Sequence, residues 1–554
     1  MEKRTILAIL LIAIIYWFSA TFLWKKPKSE LKEENLEITV VDTSPVNDVN
    51  IIRDESLITL ATTEHELEQV YSLENDKLRI TFSNLGAVIT QIELKEYFLK
   101  DKTTPVTLIP EQQAILQIDN FPLDLNNTIF KAVESTSDGI AKLTFTATWE
   151  NRSNENLSLN HQNNDMAITQ VSKIFHLDDS YHLDFYFEGD SLPALDAYSI
   201  ALNSGINITE SGKAAMKDIR NSFAFVSQID REEKKVILGR LNKGPQNFLG
   251  KVNWAALRSK YFVMSIIPEN RVMSQSITIQ KVSETLGFDL FVKYNTRFTN
   301  YSEYFFLYLG PVDFDILKSY NKGLENIAEL GWTWLRPLAK IFAYFILLLY
   351  KYIPNYGFVI IIFALILKII LTPLTNKSIN SAREMQKIQP LLREIQTKYK
   401  NDPKKLQEEM RNLYKEHNIN PLGGCLPLLL QMPIFIALLP VLRYSIEFRQ
   451  AYFLGWLSDL SEPDPYWILP ILMGIFMFIQ QKMTQVHQDT SQMDEKQLAM
   501  MQSQKMMMYM MPPLMVFLFS SFPSGLVLYW TTFNIFSIIQ QYFNNKRLKQ
   551  KGEL

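Results

Sequence analysis

Residues 356–374 read YGFVIIIFALILKIILTPL, an apolar run of the length a membrane-crossing helix needs, broken by a single charge at Lys368. Roughly 20 apolar residues span the hydrocarbon core, and an ammonium placed inside it is costly unless it faces water or a partner. An intramembrane lysine is therefore a functional-site hypothesis by default. The competing reading is that the side chain snorkels, because Lys368 lies six residues before Leu374, about 9 Å along a helix axis. This stretch alone leaves both readings open.

Moving outward, the 554 residues carry a formal net charge of -2, which argues against a general nucleic-acid binder, so no specific nucleic-acid sequence is expected as a partner. The informative feature is asymmetry: residues up to about 330 read as a soluble protein, and the remainder alternates apolar runs with charged loops. Further spans are expected at Leu422 to Leu442, Tyr466 to Gln480, Met506 to Phe522 and Leu526 to Tyr542. An amino-terminal run from Ile6 to about Leu23 follows Lys3 and Arg4; between a cleaved signal peptide and a retained anchor, its length and the apolar Phe22-Leu23-Trp24 favour the anchor. The lone cysteine, Cys425, excludes an internal disulfide and reads as a small buried residue.

Orientation follows from the short loops. The 376–418 loop bears Lys377, Arg383, Lys387, Arg393, Lys398, Lys400, Lys404, Lys405, Arg411 and Lys415, which places it in the cytoplasm, as does the basic tail of Lys546, Arg547, Lys549 and Lys551. Six spans with both termini cytoplasmic, and residues 25–355 outside the membrane, satisfy the charges. Periodicity in 376–418 breaks at Asn401-Asp402-Pro403, which predicts two antiparallel helices with Asp402 as cap. The segment Ile341 to Tyr350 is too short to cross; with Trp332 and Trp334 as anchors it reads as a helix lying on the outer surface.

Residues 1–24 are thus expected to be an anchor, 25–66 a flexible tether and 67–320 an all-β domain. An outer-surface helix region at 321–355, a five-span core at 356–545 containing the hairpin 376–418, and a tail at 546–554 complete the chain. The β assignment rests on short alternating segments such as His182-Leu183-Asp184-Phe185-Tyr186-Phe187, spaced as in a large sandwich.

Little here suggests covalent chemistry. His176, Asp178, Asp179, His182 and Asp184 form the densest polar cluster, but a hairpin turning at Asp178-Asp179-Ser180 accounts for them, and strand alternation should point the side chains apart. The glycines around Gly205 and Gly212-Lys213 are spaced too widely for a phosphate loop. No cofactor and no metal are expected.

On the last span Trp530, Asn534, Ser537 and Gln541 recur at helical spacing, and Gln431 lies within another span. Such polar groups either line a hydrated groove or simply hydrogen-bond between helices. Met493, Met500 and Met501 crowd the second cytoplasmic loop, where flexible side chains suit varied apolar partners.

Asn420-Pro421-Leu422-Gly423-Gly424-Cys425-Leu426-Pro427 with Gln431-Met432-Pro433, Asp464-Pro465-Tyr466-Trp467-Ile468-Leu469-Pro470, and Phe522-Pro523-Ser524-Gly525-Leu526 resemble the YidC-type insertases of the Oxa/Alb superfamily, and Thr372-Pro373-Leu374 as the exit from the charged span agrees with them. The resemblance implies a multi-domain chain: an α-helical polytopic membrane bundle with an amino-terminal anchor and five-helix core, a periplasmic β-supersandwich and a cytoplasmic helical hairpin. It implies insertion of nascent membrane proteins into the inner membrane without ATP hydrolysis, alone or beside the Sec translocon. Lys368 falls where the family's groove cation lies, although the best-known members carry arginine there, so the bidentate fork is lost. A family threonine one turn earlier is here Ala364, and the groove tyrosine is Trp530. The resemblance also gives the hairpin surface, including Arg383, Lys387, Arg393, Lys398, Lys404 and Lys405, to substrate, ribosome or signal-recognition-particle receptor.

Two other classes fit parts of the sequence. A small-solute transporter would also use an intramembrane lysine, but it calls for paired interrupted helices that these spans lack. A tethered sugar-processing enzyme calls for a paired-carboxylate site that the β region does not offer.

Overall fold

The computed structural model describes residues 58–550 apart from 61–66, 138–139, 152–166, 191–196, 211–214, 216–217, 220–221, 230, 232, 238–243, 270–273, 283–284, 294–300, 329–330, 400–401, 418, 420–425, 485–505 and 507–508. The anchor expected at 1–24 and the tail beyond Gln550 lie outside the described residues, as do Met493, Met500 and Met501.

The amino-terminal half is built from three antiparallel sheets. The largest runs, in spatial order, through Ile58–Leu60, Ile140–Asn151, Ala167–Leu177, His182–Asp190, Tyr301–Pro311, Phe262–Pro268, Val252–Arg258, Phe223–Gln228 and Lys234–Ile237, with Lys131–Ser137 also paired to Ile140–Asn151. Sheets of five and four described strands share its core, which joins Phe82, Phe145, Phe175, Ile200 and Ile277 in one cluster. Alternation sets the register. In His182–Asp190 every second residue is buried, and Phe185 pairs with Phe175 on one side and Phe305 on the other, with ring centroids 5.1 and 5.6 Å apart. A one-residue slip would turn this aromatic row out of the core, so the row fixes the pairing.

One expectation needs correction here. Ile58–Leu60 lies in the stretch expected to be a flexible tether, yet it forms a strand antiparallel to Ile140–Asn151. Ile-Thr-Leu is rich in β-branched and apolar side chains, so it completes the exposed edge of the sheet.

Nine helices are used below: α1 (Phe314–Ser319), α2 (Arg336–Tyr350), α3 (Tyr356–Lys387), α4 (Gln389–Lys398), α5 (Pro403–Glu416), α6 (Leu426–Tyr444), α7 (Ile468–Thr484), α8 (Tyr509–Phe519) and α9 (Ser524–Gln550). Among the described residues one helical stretch, Tyr356–Ser381, is long and apolar enough to cross a membrane by itself. Helix α2 buries Ala339, Phe342 and Ile346 against α6 and α3 and exposes Ile341 and Tyr344, the spacing of an amphipathic helix.

Pro373, at the expected exit of the charged span, sits inside α3, which continues to Lys387. Proline removes the backbone donor that would reach the Ile369 carbonyl, yet the helix runs on; on either side of it the Thr372 hydroxyl donates to the Lys368 carbonyl and the Thr375 hydroxyl to that of Leu371, both at 2.7 Å. The hairpin therefore begins as an extension of the span. Helices α4 and α5 close it around Ile388, Leu392, Met410, Leu413 and Ile419, and the Asp402 carboxylate accepts from the Lys405 amide at 3.1 Å as the cap of α5.

The sandwich docks on the 445–467 loop between α6 and α7. Lys260 pairs with Glu462 at 2.6 Å, the Tyr261 hydroxyl donates to Ser461 at 2.8 Å, and Arg449 reaches Glu210 at 2.7 Å. The same loop holds the start of α9: the Ser524 and Gly525 amides donate to the carbonyls of Glu462 and Leu460 at 2.7 and 2.9 Å.

Candidate functional site

Helices α3 and α9 pack along each other, and their polar residues meet at this contact. Lys368 is 5% exposed, whereas its neighbours Ile369 and Ile370 are each 62% exposed. The lysine thus faces the bundle while the next two side chains face away from it. Its ammonium donates to the Ser537 hydroxyl at 2.7 Å and lies 4.7 Å from the centre of the Phe533 ring. Ser537 in turn donates to the Phe533 carbonyl at 2.8 Å. Among the described residues no carboxylate pairs with Lys368. A buried cation held by a hydroxyl and a ring face keeps its charge available to a negatively charged group that enters the seam.

The stripe on α9 divides. Asn534, Ser537 and Gln541 are buried, and the Asn534 side-chain amide nitrogen has no partner. Gln541 donates to Asn545 at 3.3 Å. Trp530 packs among aromatics, with ring centroids 5.4 Å from Phe435 and 5.3 Å from Phe519, and Gln431 is half-buried on α6. Ala364, one turn before Lys368, is fully buried.

A further polar cluster escaped the sequence reading. One turn beyond Thr372 the Asn376 side-chain oxygen accepts from Gln540 at 2.9 Å and from Asn544 at 3.0 Å. Residues 368, 372 and 376 are four apart, so they share a helix face, and Asn376 lies just beyond the span expected to end at Leu374. Together with Ser537 these groups make a continuous polar seam between α3 and α9.

On the hairpin, Lys387 pairs with Glu384 at 2.7 Å, and the amines of Lys398 and Lys405 lie 5.6 and 5.7 Å from the Tyr399 ring centre. Lys404 is exposed, and Arg383 and Arg393 lie on α3 and α4. Lys387, Lys398 and Lys405 thus find their contacts within the hairpin.

The polar cluster of the sandwich differs from its expected divergence. His182 lies between Asp178 and Asp184, 2.9 Å from one carboxylate and 3.5 Å from the other, and stacks on Phe306. Asp184 shares a face with His182 by alternation, and the turn folds Asp178 back onto the ring. Burial by itself would lower the imidazole pKa, but the two carboxylates hold it up at about 9. Among the described residues no three such groups are arranged to hold a metal ion.

Comparison with known proteins follows the same division. Residues 70–345 match the model of the YidC periplasmic domain and residues 348–551 that of the 60Kd inner membrane protein family. The membrane protein insertase YidC of Syntrophus aciditrophicus is 32% identical over 99% of this chain and 100% of its own length. That of Chlorobaculum parvum is 31% identical over 100% of this chain and 96% of its own length. An active YidC insertase crystal structure with the first transmembrane domain resolved aligns over 88% of this chain and 94% of its own, at 18% identity and a TM-score of 0.35.

Proposed function

The chain belongs to the YidC family of membrane protein insertases, and from that premise we propose that it inserts nascent inner-membrane proteins through a polar groove at the α3–α9 seam, open to cytoplasm and lipid. The observation that carries this reading is the inward amine of Lys368 on Ser537. An arriving segment has an apolar part that lipid accepts and a polar flank that lipid rejects, at several kcal/mol for each bare charge or unsatisfied backbone group. Lys368 draws an acidic flank into the seam and exchanges Ser537 for a carboxylate, while the amides of Asn376, Gln540 and Asn544 hydrogen-bond its passing backbone. The apolar segment then leaves sideways into lipid, and the membrane potential pulls the acidic flank outward. The steps are transfers between solvents, with no covalent bond made or broken, so this is not an enzyme.

In this reading an anchor at 1–24 and five core spans place both termini and the hairpin in the cytoplasm and the sandwich in the periplasm. The basic face of the hairpin receives clients from the ribosome or signal-recognition-particle receptor, and the core works alone or beside the Sec translocon. The test is insertion of a short single-span client with an acidic flank into proteoliposomes. Lys368→Arg should retain most of the rate and Lys368→Ala should lose it; equal rates for Lys368→Ala and the parent would remove the cation from the mechanism.

A further inference from the structure

Where the β-domain meets the 445–467 loop there is a cavity of about 310 Å³ whose lining includes Glu96, Tyr97, Lys102, Arg449 and Gln450. Arg449 is its built element. The side chain is 4% exposed; its Nε donates to Glu210 at 2.7 Å and one terminal nitrogen to the Phe98 carbonyl at 2.8 Å, while the other, Nη2, is buried without a partner. Arg449 lines the cavity, and the group a guanidinium binds best is a phosphate or carboxylate oxygen. Gln450 is held alongside by its own bond to the Phe98 carbonyl at 3.1 Å.

Two charges of opposite sign accompany Arg449. Lys102 and Glu96 are exposed residues of the lining, and Glu96 also accepts from the Tyr181 hydroxyl at 2.5 Å. The lining therefore offers cations to a phosphate and a carboxylate to an ammonium. The volume is at the small end of the roughly 300–1,000 Å³ range of ligand pockets, which suits a head group better than a folded partner.

Depth identifies the source. The loop that contributes Arg449 and Gln450 goes on to expose Tyr452, Leu454, Trp456, Tyr466 and Trp467, between 37% and 68% exposed, and it follows directly on the apolar helix α6. Exposed aromatic residues at the end of a span mark the head-group layer. We propose that this cavity binds the head group of a zwitterionic phospholipid with a primary ammonium, its phosphate on Arg449 and Lys102 and its ammonium on Glu96. A net-anionic head group would face Glu96 without a compensating charge, and a trimethylated ammonium has no N–H to donate to it. The proposal goes beyond insertase activity and needs only that the 445–467 loop sit at the bilayer surface.

The test is native mass spectrometry of the full chain carrying phosphatidylethanolamine, phosphatidylglycerol or phosphatidylcholine. Phosphatidylethanolamine should be retained in preference to the other two. Lys102→Gln and Glu96→Gln, both at exposed positions, should each weaken that retention roughly tenfold, and Glu96→Gln should shift the preference toward phosphatidylglycerol. Arg449→Gln should abolish retention, and its circular dichroism reports whether it folds; if it does not, the two exposed variants decide. Equal retention of all three lipids, or unchanged retention in both exposed variants, overturns the proposal. Displacement by millimolar inorganic phosphate or glycerophosphoethanolamine as readily as by lipid would assign the site to a free phosphate ester and overturn the lipid source.

Discussion

Lys260 of the sandwich and Glu462 of the 445–467 loop, 202 residues apart in sequence, form an ion pair at 2.6 Å with side chains 3% and 19% exposed. Removing one partner of a buried pair costs more than replacing both. Lys260→Met should therefore destabilise the docking of sandwich on loop by about 2–3 kcal/mol, and Lys260→Met with Glu462→Gln should recover much of that. Urea dependence of proteolytic cleavage at the domain junction checks it; additive losses in the double variant would count against the pair.

Ser537 should matter through Lys368. Ser537→Ala removes the hydroxyl that accepts from the ammonium, whereas Ser537→Thr keeps it. Initial insertion rates should fall a few-fold for alanine, less than for Lys368→Ala, and stay near the parent for threonine. A Ser537→Ala effect that persists undiminished in a Lys368→Ala background would show the two acting separately.

The His182 bridge makes a pH prediction. Its folded pKa of about 9 lies above the ordinary imidazole value of 6.5, so the stability it supplies is fully present below pH 6.5 and is lost as the pH rises through 9. The contribution is up to roughly 3 kcal/mol. Amide exchange in the Ala167–Leu177 and His182–Asp190 hairpin, measured from pH 6 to 10 after correction for intrinsic rates, should accelerate across that window, and His182→Gln should flatten the response. A parent profile as flat as that of the variant would refute the bridge.

Gly357 opens the first turn of α3 at a point of close approach. A Cβ there would lie 1.9 Å from the Phe453 ring, which is itself buried. Gly357→Ala should destabilise by about 1–3 kcal/mol. Thermal unfolding in detergent should show the loss, and Phe453→Ala in the same chain should relieve part of it.

Much of this architecture could be read before any coordinates. Alternation announced the strand His182–Asp190, and Asp402-Pro403 announced the start of α5. The spacing of Asn534, Ser537 and Gln541 marked one helix face, and all three are buried. What stayed hidden was long-range pairing. Nothing local in Lys260 or Arg449 names Glu462 or Glu210 as a partner, since such pairs depend on how distant loops fold together. Asn376 was hidden differently: its helical register with Lys368 was present in the sequence, but it lies two residues beyond the expected end of the span at Leu374.

The uninterrupted passage of α3 through Pro373 has a mechanical consequence. Its 32 residues span about 48 Å at 1.5 Å per residue, against a hydrocarbon layer of about 30 Å. The rod therefore projects well beyond the oil, with the helical hairpin as its handle and Lys368 part-way along its shaft. The hairpin and the buried charge thus belong to one unbroken backbone element, with Pro373 between them.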